Sequence, residues 1–200
     1  MHLSAAAIVV AARSHGETAA VVRVLTERHG LVAGYVAGAR GRHLRPVLIP
    51  GNRVAAELSA RSDSQLPFLK LELTESRGPW LGEPLAAAAI TWLTTLSAAV
   101  LPERNPYPNV YAALGAALDA VCHAPSARGW LRAVIAYEAL VLRELGYGGA
   151  LPPAEADLDA LLQMFARGAA PLERYLLADR KGDAMAARAM LGARLEKLNT

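Results

Sequence analysis

Through the first eighty residues apolar side chains recur at a period of two, broken by turn signals; beyond Trp80 the period becomes helical. Ala5–Arg13 carries Ile8-Val9-Val10 and stops at Ser14-His15-Gly16. Thr18–Thr26 holds Val21, Val22, Val24 and Leu25, and Leu31–Ala39 alternates loosely around Tyr35. After a polar loop at Arg40–Pro46 and the turn Pro50-Gly51-Asn52, Arg53–Arg61 alternates cleanly. Val54, Ala56 and Leu58 share one face there, with Arg53, Glu57 and Arg61 on the other. Leu66–Glu75 places Leu69, Leu71 and Leu73 inward and Phe68, Lys70 and Glu72 outward. Five short strands are too few for an immunoglobulin-type sandwich and suit a small closed barrel of OB-fold type, in which closure removes exposed strand edges.

The second half predicts helices. Pro84 suits a first helical position, and that helix ends before Pro102. A second spans about Asn109–His123; a third is capped by Ser126 and runs to Leu145, with Gly146 as its stop. Asp157 caps a fourth, Leu158–Ala166, which ends before Gly168. Shorter helices are expected at Pro171–Ala178 and Asp183–Leu198. The fold class is therefore α+β: a barrel domain over residues 1–79 and an all-helical domain over 80–200, without an internal repeat.

Composition refines this picture. A hydrophobic content of 54% supports packed cores. The uncharged run Pro84–Leu101 approaches the length of a membrane span, but its alanines, threonines and missing aromatic or basic flanks fit a buried bundle helix. The single cysteine, Cys122, excludes an internal disulfide and a zinc site built on paired cysteines, and the chain reads as cytoplasmic. The net charge of +3 is uneven: residues 1–80 hold ten Lys or Arg against six acids, and the remainder eleven against twelve. Between Glu27 and Glu57 lies no acid but five arginines. That asymmetry suits a polyanionic partner, although a solvated surface in an arginine-rich chain has the same composition.

Catalytic motifs are missing from the pattern. There is no phosphate-cradling Gly-Lys-Ser/Thr loop, GxSxG elbow or HExxH pair. Ser14, His15 and Glu17 are too close in sequence to converge as a triad, and the histidines lack ligand spacing for a metal. Cys122 beside His123 reads as a small hydrophobe. Neither enzyme activity, a cofactor nor a metal is expected. Stronger chemistry lies in Gly38-Ala39-Arg40-Gly41-Arg42-His43-Leu44-Arg45, a glycine-bearing loop whose arginines can follow phosphates without reading bases. Arg13, Arg23, Arg53 and Arg61 extend this track from strands, and Phe68 is a better stacking residue than Tyr35, which suits the core equally well. With about five phosphates neutralised, the log–log salt slope is near −3.5 for single strands. On the third helix Arg128, Arg132 and Arg143 fall near one line around Ala136 and Ala139, which fits either a solvated face or a shallow basic groove for an acidic peptide.

These motifs, in this order, resemble a known family. The string His15-Gly16-Glu17-Thr18, then Val21 to Thr26, Gly30, the arginine loop, Leu44-Arg45-Pro46, Pro50-Gly51-Asn52, and Tyr137-Glu138 to Glu144-Leu145-Gly146-Tyr147 are similar to the RecO recombination mediators. The resemblance covers most of residues 5–148. It implies an OB-fold before a helical domain, binding of single- and double-stranded DNA, annealing of complementary strands, and contacts with RecR and the acidic C-terminal tail of single-strand-binding protein. It also implies help in loading RecA and a nucleoid-associated place in the cytoplasm. Two features depart from the family. Its cysteine-rich zinc-binding insertion is expected to be absent, because Tyr147–Ala156 is a short Gly/Pro loop. An arginine common in the family is Ala136 here, so Arg132 would have to take its place toward the tail. The alternative is a protein adaptor that docks repair partners through the helical domain and scarcely binds DNA.

Overall fold

A computed structural model describes residues 2–60, 65–178 and 184–198. Arg61 and Asp183 lie outside the described residues. The chain divides into two compact units, one of residues 1–82 with 101–111 and one of residues 83–100 with 112–200.

The first unit is built on five strands: β1 (His2–His15), β2 (Ala19–Thr26), β3 (Gly30–Val36), β4 (Arg53–Ser59) and β5 (Phe68–Glu75). They close into a barrel in the order β1-β2-β3-β5-β4, as the alternation required. β3 and β5 run parallel at the closure, where Tyr35 pairs with Phe68; β1 and β4 are antiparallel. Val22, Val24, Val32, Val54, Ala56, Leu58 and Leu69 fill the interior. A bulge between Val9 and Ala11 resets the pleat of β1, a common device for bending a strand around a small barrel. Gly34 permits the tight closure, because a Cβ there would stand 2.5 Å from that of Leu69.

Residues 101–105 lie along the edge of β3 near Leu31. The Arg104 amide donates to the Leu31 carbonyl at 2.9 Å, Leu31 bridges Glu103 in parallel, and Leu31 is buried. Gly30 makes this approach possible. Its φ is +66°, and a Cβ would come within 2.1 Å of the Asn105 carbonyl oxygen. Gly30→Ala is therefore expected to cost about 2 kcal/mol or more, read as a lowered midpoint in urea, because strain and backbone overlap act together.

The second unit contains α1 (Pro84–Val100), α2 (Pro108–His123, from Ala112 onward), α3 (Ala127–Glu144), α4 (Leu158–Leu172) and α5 (Ala184–Glu196). Buried residues cover most of the circumference of α1, with Thr91 on the exposed side, which explains its uncharged sequence. No helix among the described residues is long and apolar enough to cross a membrane. The hydroxyls of Thr94 and Ser97 donate to the carbonyls of Ile90 and Leu93, so these buried polar groups stay satisfied.

Two helix ends differ from the sequence pattern. Ser126 occupies the N-cap position of α3 without making a side-chain cap bond, whereas Asp157 accepts from the Ala160 amide at 2.8 Å. α4 also runs through Gly168 and Pro171 to Leu172 and continues as a π-helical turn, Glu173–Leu177, where a break and a fresh helix are expected from sequence. A proline at 171 cannot donate to the carbonyl four residues earlier, and the wider turn after it lets the chain continue.

Candidate nucleic-acid interface

The loop between β3 and β4 is a succession of turns anchored at both ends. Gly38 adopts a φ of +64°, and the Arg40 amide donates to the Thr18 carbonyl in the β1–β2 hairpin. Further along, the amides of Leu44 and Arg45 both donate to the Gly41 carbonyl. Val47 and Leu48 then turn inward and join the barrel core. Asn52, fully buried, holds the returning chain. Its Nδ2 donates to the carbonyls of Pro46 and Val47, and its Oδ1 accepts from the Arg77 amide at 2.7 Å. The apolar end of the loop is thereby buried, and Arg40, Arg42 and Arg45 remain exposed.

Between this loop and the β1–β2 hairpin lies a groove of about 420 Å³. Ser14, Ala19 and Ala20 form one wall, and Ala39, Arg40 and Arg45 the other. Small side chains on the hairpin leave the space open, and the two guanidinium groups supply charge at its edge. Arg42 Nε donates to His43 Nε2 at 3.3 Å.

Of the seven barrel arginines singled out from sequence, Arg61 lies outside the described residues and the other six fall into two groups. Among the described residues Arg13, Arg40, Arg42 and Arg45 are exposed and have no carboxylate partner. Arg23 is half-buried and pairs with Glu103 at 3.1 Å, while Arg53 pairs with Glu75 at 3.0 Å. Glu75 also holds the fully buried Arg77 at 2.8 Å. A phosphate would have to compete with these acids for Arg23 and Arg53, but not for the other four.

Phe68 is 62% exposed on the outer face of β5. Tyr35, half-buried, packs its ring edge-on against Phe68 at 5.5 Å and against His15 at 6.0 Å. Tyr35 thus belongs to the outer surface, and sequence alternation alone left that open because β3 contains two glycines.

The helical arginines separate. Arg128 is exposed in the first turn of α3 and Arg143 in its last, roughly 22 Å apart at the helical rise. Arg132 is turned onto its own chain, donating to the carbonyls of Pro153 and Ala154 and fixing the loop after α3. Arg143 borders a shallow groove of about 240 Å³ with Ala136, Leu140 and Leu151, whereas Ala139 lines a different hollow toward α4.

Sequence reasoning missed a buried ion pair. Glu138 accepts from Arg188 Nε and Nη2, both at 2.9 Å, and from Trp92 Nε1 at 2.7 Å, joining α3, α5 and α1. Arg188 lies 3.9 Å from the centre of the Phe165 ring. Burial pushes the Glu138 carboxyl above the usual range, opposed by the hydrogen bonds and charge of Arg188 and by Trp92. Neighbouring Tyr137 hydrogen-bonds Ser97 at 2.7 Å, and burial raises its hydroxyl pKa. Tyr137-Glu138 is thus a buried structural pair.

Two family descriptions match this chain: recombination protein O N terminal over residues 1–77, and recombination protein O C terminal over residues 81–151. The chain belongs to the RecO family. Proteins named DNA repair protein RecO are similar to it. That of Rhodospirillum centenum is 43% identical over 143 residues, covering 71% of this chain and 56% of the relative. That of Phenylobacterium zucineum is 39% identical over 143 residues, covering 71% and 58%. In Rhodopseudomonas palustris the figures are 39% over 149 residues, 74% and 58%. The matched stretch therefore spans a little over half the length of these RecO relatives. Among the described residues no group of three or more His, Cys, Asp or Glu is placed to hold a metal ion.

Proposed function

We propose that this RecO-family chain is a DNA repair and recombination mediator that works by binding, without covalent chemistry. Residues 1–79 bind single- and double-stranded DNA, and residues 80–200 dock partners. The observation that carries this reading is the set of four exposed arginines that have no carboxylate partner among the described residues, Arg13, Arg40, Arg42 and Arg45, three of them on one anchored loop. Guanidinium groups there shield phosphate repulsion between two strands, which is the main barrier to bringing complementary sequences together. Annealing follows, and with it help in loading RecA on DNA coated by single-strand-binding protein. Arg23 and Arg53 reinforce the track when a phosphate displaces Glu103 or Glu75. The partners on the helical side are RecR and the acidic tail of single-strand-binding protein; Arg143 with its small-residue groove is better placed for the tail than Arg132 or Arg128. The protein acts in the cytoplasm, on the nucleoid.

Strand annealing by the purified chain tests this, at low and moderate salt, with and without single-strand-binding protein on the DNA. The expected result is salt-sensitive annealing that persists on coated strands. Annealing of bare strands only would keep the barrel function and remove the tail contact. If neither anneals, the chain is an adaptor acting through its helices.

A further inference from the structure

The barrel carries a second feature, a row of rings that lies outside the arginine loop. Arg13 pairs with Val21 across β1 and β2, Val21 with Tyr35 across β2 and β3, and Tyr35 with Phe68 across the parallel closure. These four residues form one row, and the alternation of each strand puts their side chains on the outer face. His15 lies two residues beyond Arg13 on the same strand and completes a line of rings, His15–Tyr35–Phe68, each edge-on to the next at 86° and 84°. Phe68 keeps more than half its surface in water. Its position is fixed from the Tyr35 side, where the Tyr35 amide also donates to the Pro67 carbonyl at 2.8 Å.

We propose that Phe68, held by Tyr35 and His15, is a stacking platform for unpaired bases, so that this face takes single-stranded nucleic acid and not duplex. The inference rests on the DNA-binding reading above and deepens it. Bases in a duplex are already stacked on one another and have no free face to offer, whereas an unpaired base gains by covering an exposed ring. The β1–β2 hairpin joins the two surfaces. Ser14, Ala19 and Ala20 wall the arginine groove, and Arg13, His15 and Val21 belong to the row of rings. A strand whose phosphates follow Arg40 and Arg45 reaches the platform around the hairpin, with Arg13 beside the rings for the next phosphate. One strand is thereby held by its backbone on one side and by its bases on the other.

The test compares two oligonucleotides of equal length and charge, a thymidine homopolymer of about 15 nucleotides and its abasic counterpart, on the full chain. Wild type is expected to bind the thymidine strand more tightly, on the order of ten-fold. Phe68→Leu, which keeps an apolar side chain at an exposed position, should abolish that preference and leave abasic binding unchanged; Phe68→Trp should restore it. Equal wild-type affinity for the two strands would overturn the platform while leaving the arginine groove intact. A Phe68→Leu variant that loses both affinities equally would assign Phe68 to the structure of the barrel. Binding of neither strand by wild type would overturn the platform together with the DNA-binding reading.

Discussion

Arg188→Met is expected to lower the unfolding free energy by about 3–5 kcal/mol at neutral pH, measured by urea denaturation. The guanidinium makes two bonds to Glu138, donates to the Phe165 carbonyl, and lies 3.9 Å from the centre of the Phe165 ring, and Arg188 is only 4% exposed. Removing it leaves a buried carboxylate with Trp92 as its remaining donor among these bonds. Glu138→Gln with Arg188→Met should cost less than Arg188→Met alone, because the penalty comes mainly from the charge left behind. The variant should also change its pH response. Burial already raises the Glu138 carboxyl, and loss of the cation raises it further. A folded-state pKa above the unfolded value of about 4.3 gives stability that is complete below that value and lost as pH rises through the folded pKa. The deficit of Arg188→Met relative to wild type should accordingly shrink as pH falls from neutrality toward about 4.

The second large effect concerns function. Arg40/Arg42/Arg45→Ala should lower affinity for single-stranded DNA roughly 100-fold at about 0.1 M salt, since each lost phosphate contact removes about 0.7 from the salt slope. Annealing should fall with it. The folded state should be almost unaffected, because all three side chains are exposed and none pairs with an acid among the described residues. Fluorescence anisotropy with a labelled oligonucleotide reads the affinity, and a urea melt checks the fold. By contrast Arg53→Ala should weaken binding less, because Glu75 already occupies its guanidinium.

The division between legible and illegible features follows the range of the interactions. Val54, Ala56 and Leu58 against Arg53, Ala55 and Glu57 show their strand in the sequence itself, since one face meets the core and the other water. Gly146 signals the end of α3 equally well: its φ is +91° and its amide donates to the Arg143 carbonyl. The arginine loop is visible because charge and glycine are local properties. What sequence could not show are partners far along the chain. Glu103 lies eighty residues from Arg23, and Arg188 fifty residues from Glu138. Residues 102–108 read as a connection between helices, yet part of this stretch lies along β3 because Gly30 leaves room for its backbone. Among the described residues, pairing of Arg23 with Glu103 and of Arg53 with Glu75 left four of these six candidate arginines, Arg13, Arg40, Arg42 and Arg45, without a carboxylate partner. Pro171 misled for a different reason: a helix tolerates proline where the next turn can widen, and nothing in the local sequence marks that.

The central claim, that four exposed arginines bind phosphates, is tested most directly by the affinity of the full chain for a thymidine oligonucleotide across a range of salt concentrations. Four neutralised phosphates predict a log–log slope near −2.8, approaching about −4.2 if Arg23 and Arg53 also exchange their acids for phosphates. A slope near zero, with affinity unchanged in Arg40/Arg42/Arg45→Ala, would contradict the account and leave the helical unit as the seat of function.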